Sequence, residues 1–155
     1  PQINLGVSVL IPEAYVADLD VRLGLYRRLS NLSKKVEFEG FAAELIDRFG
    51  KLPPEVNTLL LVVRIKSVCK KAGIGKLDGG PKGATVQFYN DKFISPEGLV
   101  EFIKKQNGLA KIKDNKLIIK RDWKKNSDKF KGAFSIARDL AEIAASYQKN
   151  SLAKN

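Results

Sequence analysis

The sequence predicts an α+β fold: a helical first half of three helices after an N-terminal strand, packed with a small, mainly antiparallel sheet and a long C-terminal helix. Three observations predict it. Apolar residues recur at helical spacing through three successive segments before Gly73. After Gly73 the texture changes to short alternating runs separated by Gly, Pro, Asp and Asn. The last stretch, from about Ser127 to Tyr147, is helix-periodic again.

Each element has its own signal. Ile3, Leu5, Val7 and Val9 alternate, so a strand is expected over 3–11, at an edge or a junction. Asp18 is a good N-cap for a helix to about Leu32, with Leu19, Leu23, Leu25, Tyr26, Leu29 and Leu32 at helical spacing and the arginines Arg22, Arg27 and Arg28 off that stripe. A second helix, about 37–49, has one wide apolar face of Phe38, Phe41, Ala42, Leu45, Ile46 and Phe49. Gly50 suits its end. Pro53-Pro54 opens a third helix to about Ala72, and the continuous run Leu59–Val63 predicts that it is buried on all sides.

Strands are expected at 74–78 and 84–89 around the turn Gly79-Gly80-Pro81-Lys82-Gly83. Ser95 and Pro96 are a cap and first position for a short helix to about Gln106. Asp114-Asn115 joins strands 110–113 and 116–120 as a hairpin. The final helix carries Phe130, Phe134, Ala137, Ala141 and Ala144 on one face, and the polar tail 148–155 is expected to fray. The 155 residues are expected to form a single domain, with a mainly helical part over 1–73 and an α+β part over 74–155 sharing one core.

Composition removes several function classes. There is no histidine, so no Ser-His-Asp triad, Cys-His pair or HExxH zinc site can be built, and one cysteine, Cys69, cannot form an internal disulfide. The single thiol fits a reducing cytoplasm. The longest apolar run has five residues, far short of the roughly 20 that a membrane-spanning helix needs. The chain begins at Pro1 and lacks methionine, which fits a piece cut from a larger protein most simply, and fits equally a start methionine removed before Pro1.

Charge is uneven. Residues 1–60 carry 7 Lys/Arg against 8 Asp/Glu, whereas 61–155 carry 21 against 9, within an overall net charge of +11. Lys113, Lys116, Lys120, Arg121, Lys124 and Lys125 surround Trp123, which makes a basic nucleic-acid-binding module the alternative reading, with Trp123 stacking on a base. The same lysines also suit the solvated face of an ordinary hairpin. No RNP, zinc-finger or homeodomain pattern is present. A phosphate-cradling loop is absent too: Gly75-Lys76 is followed by Leu77, and Asp78 stands where GxGxxG needs its last glycine.

Glu44 and Asp47 lie three residues apart, about 60° around the second helix, opposite its apolar stripe, so that helix is expected to offer a small acidic face. Solvation, a protein contact and carboxylate chemistry all remain open on spacing alone.

The strings Ile11-Pro12-Glu13-Ala14-Tyr15-Val16-Ala17-Asp18, Arg22-Leu23-Gly24-Leu25-Tyr26-Arg27-Arg28-Leu29 and Glu44-Leu45-Ile46-Asp47-Arg48-Phe49-Gly50-Lys51-Leu52-Pro53 resemble the C-terminal domain of bacterial transcription-repair coupling factors. The likeness is strongest over 3–80 and thins after Tyr89. It implies a non-catalytic, autoregulatory domain of a larger DNA-translocating ATPase that displaces stalled RNA polymerase and recruits UvrA-dependent excision repair. In that family the domain packs on an N-terminal UvrB-like module and masks UvrA binding until activation. The resemblance makes Glu44 and Asp47 the interdomain contact, facing arginines of that module, with Arg48 bordering them. It implies no cofactor for the domain itself, ATP and magnesium in the parent's motor, double-stranded DNA, RNA polymerase and UvrA as the parent's partners, and a cytoplasmic protein with no membrane contact.

Overall fold

The computed structural model describes residues 1–153. In chain order they form β1 (Gln2–Asn4), α1 (Leu19–Ser30), α2 (Lys35–Phe49), α3 (Pro54–Lys71), β2 (Ile74–Gly80), β3 (Gly83–Phe88), a 3₁₀ turn (Tyr89–Asp91), α4 (Pro96–Lys105), β4 (Ala110–Lys113), β5 (Lys116–Lys120) and α5 (Asn126–Ala153). The fold is α+β. Its described residues resolve into two compact units, one of residues 7–67 and one of residues 1–6 with 68–153, the division falling inside α3.

The helical unit begins with an irregular segment where a strand to Ile11 is expected; only Gln2–Asn4 pair as a strand. Side chains hold that segment. The Ile11 amide donates to the Tyr26 hydroxyl at 2.6 Å, and Arg22 donates from Nη1 to the carbonyls of Val16 and Ala17. Asp18 caps α1 as expected, accepting from the Val21 amide at 2.9 Å. Glu37 reaches back to the Lys34 amide at 2.8 Å and so closes the first turn of α2. Ile11, Val16, Leu25, Leu29, Phe41, Leu45, Val56 and Leu59 form this unit's core.

The apolar stripes are narrower than their periodicity suggests. Leu19, Leu23, Ile46 and Leu61 are exposed. Leu61 corrects the expectation of an all-round buried α3: Val56, Leu59 and Ile65 take its buried side. A five-residue apolar run covers more than a full turn of helix, and here Leu59 is buried, Leu60 and Val63 pack half-buried against the core, and Leu61 faces out.

In the second unit the sheet order is β1-β2-β3-β5-β4, with β1 parallel to β2 and all other pairs antiparallel. The hairpin β4–β5 has the expected bounds, and Asp114 and Asn115 take positive φ, the backbone of a two-residue reversal. The expected five-residue turn tightens to Pro81-Lys82, because Gly79 and Gly80 continue β2 opposite Ala84 and Gly83. Gly83 is obligatory there: its φ is +126° and a Cβ would fall 2.0 Å from the Ile119 carbonyl oxygen.

One sheet face is buried through Leu77, Ala84, Val86, Leu117 and Ile119, while α5 buries Phe130, Ala133, Ile136, Ala137, Leu140 and Ala144. Helix α5 continues to Ala153, so 148–153 are helical rather than frayed; Lys154 and Asn155 lie outside the described residues. Cys69 is wholly buried, and desolvation pushes its thiol up to about 12. No described helix is long and apolar enough to cross a membrane.

Candidate functional site

The charged face of α2 is built by packing on its other side. Phe38, Phe41 and Leu45 are buried, which turns Glu44, Asp47 and Arg48 outward. The C-terminal end of α2 is tied by the Tyr15 hydroxyl, which lies 2.7 Å from the Gly50 carbonyl and 3.1 Å from that of Leu45. Gly50 ends the helix with φ +94°.

Glu44 is not a bare carboxylate. Arg28 from α1 grips it with both guanidinium arms, Nη1 to Oε2 at 2.6 Å and Nη2 to Oε1 at 2.7 Å. Arg48, one turn along α2, adds a third bond to Oε2 at 3.0 Å. Each guanidinium also lies against a ring, Arg28 5.1 Å from the Phe41 centroid and Arg48 4.8 Å from that of Phe49. The bidentate fork fixes the carboxylate plane as well as its position.

The face is therefore charge-balanced, which corrects the expectation of an acidic one. Two arginines balance the two carboxylates in number but both bond Glu44, and the one from α1 enters from 16 residues away. Sequence reasoning missed Arg28 as part of the site. Its only signal was a place off the apolar stripe of α1. Asp47 is exposed, and among the described residues no cation or hydrogen-bond donor pairs with it. The two carboxylates thus differ: Glu44 holds α1 to α2, while Asp47 is available.

Hydrogen bonds from Arg28 and then Arg48 hold the Glu44 carboxyl well below its ordinary 4.5, at about 2. The folded-state value is depressed, so the stabilisation is present above about pH 4.5 and is lost as pH falls toward 2. The pair is half solvent-exposed, which limits its worth to about 0.2–1 kcal/mol. Carboxyl-carbon NMR titration of Glu44 is expected to show a midpoint depressed below the ordinary 4.5. In Glu44→Gln the loss of stability between pH 5 and 2, followed by urea unfolding, is expected to shrink by about 0.2–1 kcal/mol.

The residues of the basic alternative do not form one patch around Trp123. Trp123 is buried, with its ring against Gly132 and Gly79, so it is withdrawn from any base. Arg121 Nη2 is turned to Gln106 Oε1 at 2.5 Å, and Lys124 lies 3.9 Å from Asp122. Lys113, Lys116, Lys120 and Lys125 remain exposed. The glycine-lysine segment is no phosphate cradle: Gly73 ends α3 with φ +73°, and Ile74, Gly75 and Lys76 enter β2, where Lys76 lies 3.7 Å from Asp78. Among the described residues no group of three or more His, Cys, Asp or Glu could hold a metal ion.

The TRCF domain family model matches residues 5–99. A transcription-repair-coupling factor of Rickettsia conorii is 49% identical over 119 residues, covering 76% of this chain and 10% of that protein. The Escherichia coli protein of the same name is 34% identical over 105 residues, covering 68% of this chain and 9% of its own length. The chain therefore spans about a tenth of the length of these curated relatives. Among solved structures, the crystal structure of the C-terminal domain of transcription-repair coupling factor superposes with a TM-score of 0.78 at 24% identity, covering 94% of both chains, which establishes the shared fold. The match over more than half the sequence shows that this chain belongs to the TRCF domain family of transcription-repair coupling factors.

Proposed function

We propose that this chain is an autoregulatory module of a transcription-repair coupling factor, acting through a charged contact on α2 with the parent's UvrB-like N-terminal module. In this reading the chain itself performs no chemistry. ATP hydrolysis with magnesium, movement on double-stranded DNA and displacement of stalled RNA polymerase belong to other parts of the parent, and docking masks the UvrA-binding surface until the contact opens.

The observation that carries the proposal is the split between the two carboxylates within the family's string. Glu44 spends its oxygens on Arg28 and Arg48, whereas Asp47, one turn away, has no partner among the described residues. Asp47 is then the carboxylate that receives an arginine from outside, and Glu44 with its two arginines sets the surface around it. Exposed ion pairs are worth about 0.2–1 kcal/mol each, which suits a latch that a partner must open.

This division changes which substitution is informative. Glu44→Arg would place a third cation between Arg28 and Arg48 and break the tie between α1 and α2, mixing fold with contact. Asp47→Arg leaves the tie untouched. Binding of this chain to the separately produced UvrB-like module, measured at low and high salt, is expected to weaken about tenfold with Asp47→Arg, or about 1.4 kcal/mol. Its urea midpoint should stay where it was. Unchanged affinity for Asp47→Arg, or salt-independent binding, would refute the latch.

A further inference from the structure

The sheet has a second face. On β5 the buried side chains are Leu117 and Ile119, so Lys116, Ile118 and Lys120 stand on the opposite side. Register places Lys111 opposite Ile118 and Lys113 opposite Lys116, which brings both lysines of β4 onto that same side. Thr85 lies opposite Ile118 on the other flank and extends the face as polar, uncharged surface.

Four ammonium groups thus share a strip about 5 Å wide and about 13 Å long, set by strand spacing and rise. All four lysines are exposed, and among the described residues none has an ion-pair partner. The nearby carboxylates do not neutralise them: Asp78 is engaged by Lys76, and Asp114 sits in the hairpin turn. Lys113 and Lys116 are directly opposed, an arrangement that destabilises a strand pair. Lysine protects edge strands from adding further strands, and this accounts for Lys111 and Lys113 on β4. It does not account for Lys116 and Lys120, because β5 lies inside the sheet between β3 and β4.

We infer that this lysine face binds the phosphate backbone of duplex DNA, without reading sequence. Charge without carboxylates calls for a polyanion, and relief of the Lys113–Lys116 repulsion adds to binding. A protein partner is disfavoured, since protein interfaces are depleted in lysine and anchored by aromatic or arginine side chains, and this face has neither on β4 or β5. The absence of a ring on β4 and β5 likewise disfavours single strands, which are held by stacking. Backbone contacts from lysine, with Thr85 as a neutral donor, are the chemistry of sequence-independent duplex binding.

The test is fluorescence anisotropy of a short labelled duplex with the whole chain, between about 50 and 200 mM salt. The slope of log affinity against log salt should be about −3 to −4, or roughly −0.9 per phosphate contacted. Replacing all four residues (K111Q, K113Q, K116Q and K120Q) should flatten that slope by about 3 and weaken low-salt binding at least tenfold, with a urea midpoint unchanged or raised. A control of equal charge change elsewhere (K51Q, K92Q, K105Q and K149Q) should keep the slope within about one unit of the original. Three results would overturn the inference: no binding at about 50 mM salt, an equal loss in the control, or displacement of the duplex by polyglutamate of matched charge as readily as by unlabelled DNA.

Discussion

Trp123→Ala is expected to cost about 3–5 kcal/mol of folding stability, the range for emptying a buried aromatic site. Trp123 follows β5 and is 8% exposed. Its amide donates to the Pro81 carbonyl at 2.8 Å, which pins the chain beside the β2–β3 turn. The ring closes against Gly132 of α5 so tightly that a Cβ there would come within 2.3 Å of it. Gly132→Ala is therefore expected to be destabilising from the other side of the same contact, by about 1–3 kcal/mol as overpacking. Urea unfolding followed by circular dichroism reads both variants. Near-native stability in Trp123→Ala would mean the ring is not packed in this way, and would return Trp123 to the list of nucleic-acid contacts.

The second large effect is Leu45→Ala, expected at about 2–5 kcal/mol. Leu45 is 1% exposed, between Glu44 and the helix end that Tyr15 ties, and it packs in the cluster with Leu25, Leu29, Phe41 and Val56. The loss should appear first as faster hydrogen exchange of α1 and α2 amides. Because this core aims the outward face of α2, the proposed latch requires that the variant also bind the UvrB-like module more weakly, although no charge has changed. Leu45→Met, which keeps the volume, should restore most of both. Binding that survives at full strength in Leu45→Ala would show that α2 does not need its buried side to present Asp47.

Much of the local structure was legible in the residues because its causes are local. The Asp18 and Ser95 caps, the Asp114-Asn115 reversal and the helical spacing of α2 each depend on neighbours within a few positions. The end of β1 was not legible. Ile3 to Val9 alternate well enough for a strand, but pairing stops at Asn4 and the following backbone is held by Tyr26 and Arg22 instead. Nor was the length of α5. Its polar end to Ala153 carries no apolar stripe, so nothing in its sequence separated a continuing helix from a loose tail.

By itself, then, the sequence determined the order and type of the elements, the loss of histidine chemistry, and the family string that places Glu44, Asp47 and Arg48 on one helix. Only the tertiary structure decided what those side chains meet. It brought Arg28 to Glu44 across 16 positions and so left Asp47 as the available carboxylate. It buried Trp123, and it gathered Lys111, Lys113, Lys116 and Lys120 on one face while turning Arg121 to Gln106. The reason is physical: periodicity and caps are set by contacts within a turn or two, whereas the partner of a charge or a ring is set by how separate elements pack, and residue spacing does not encode that distance.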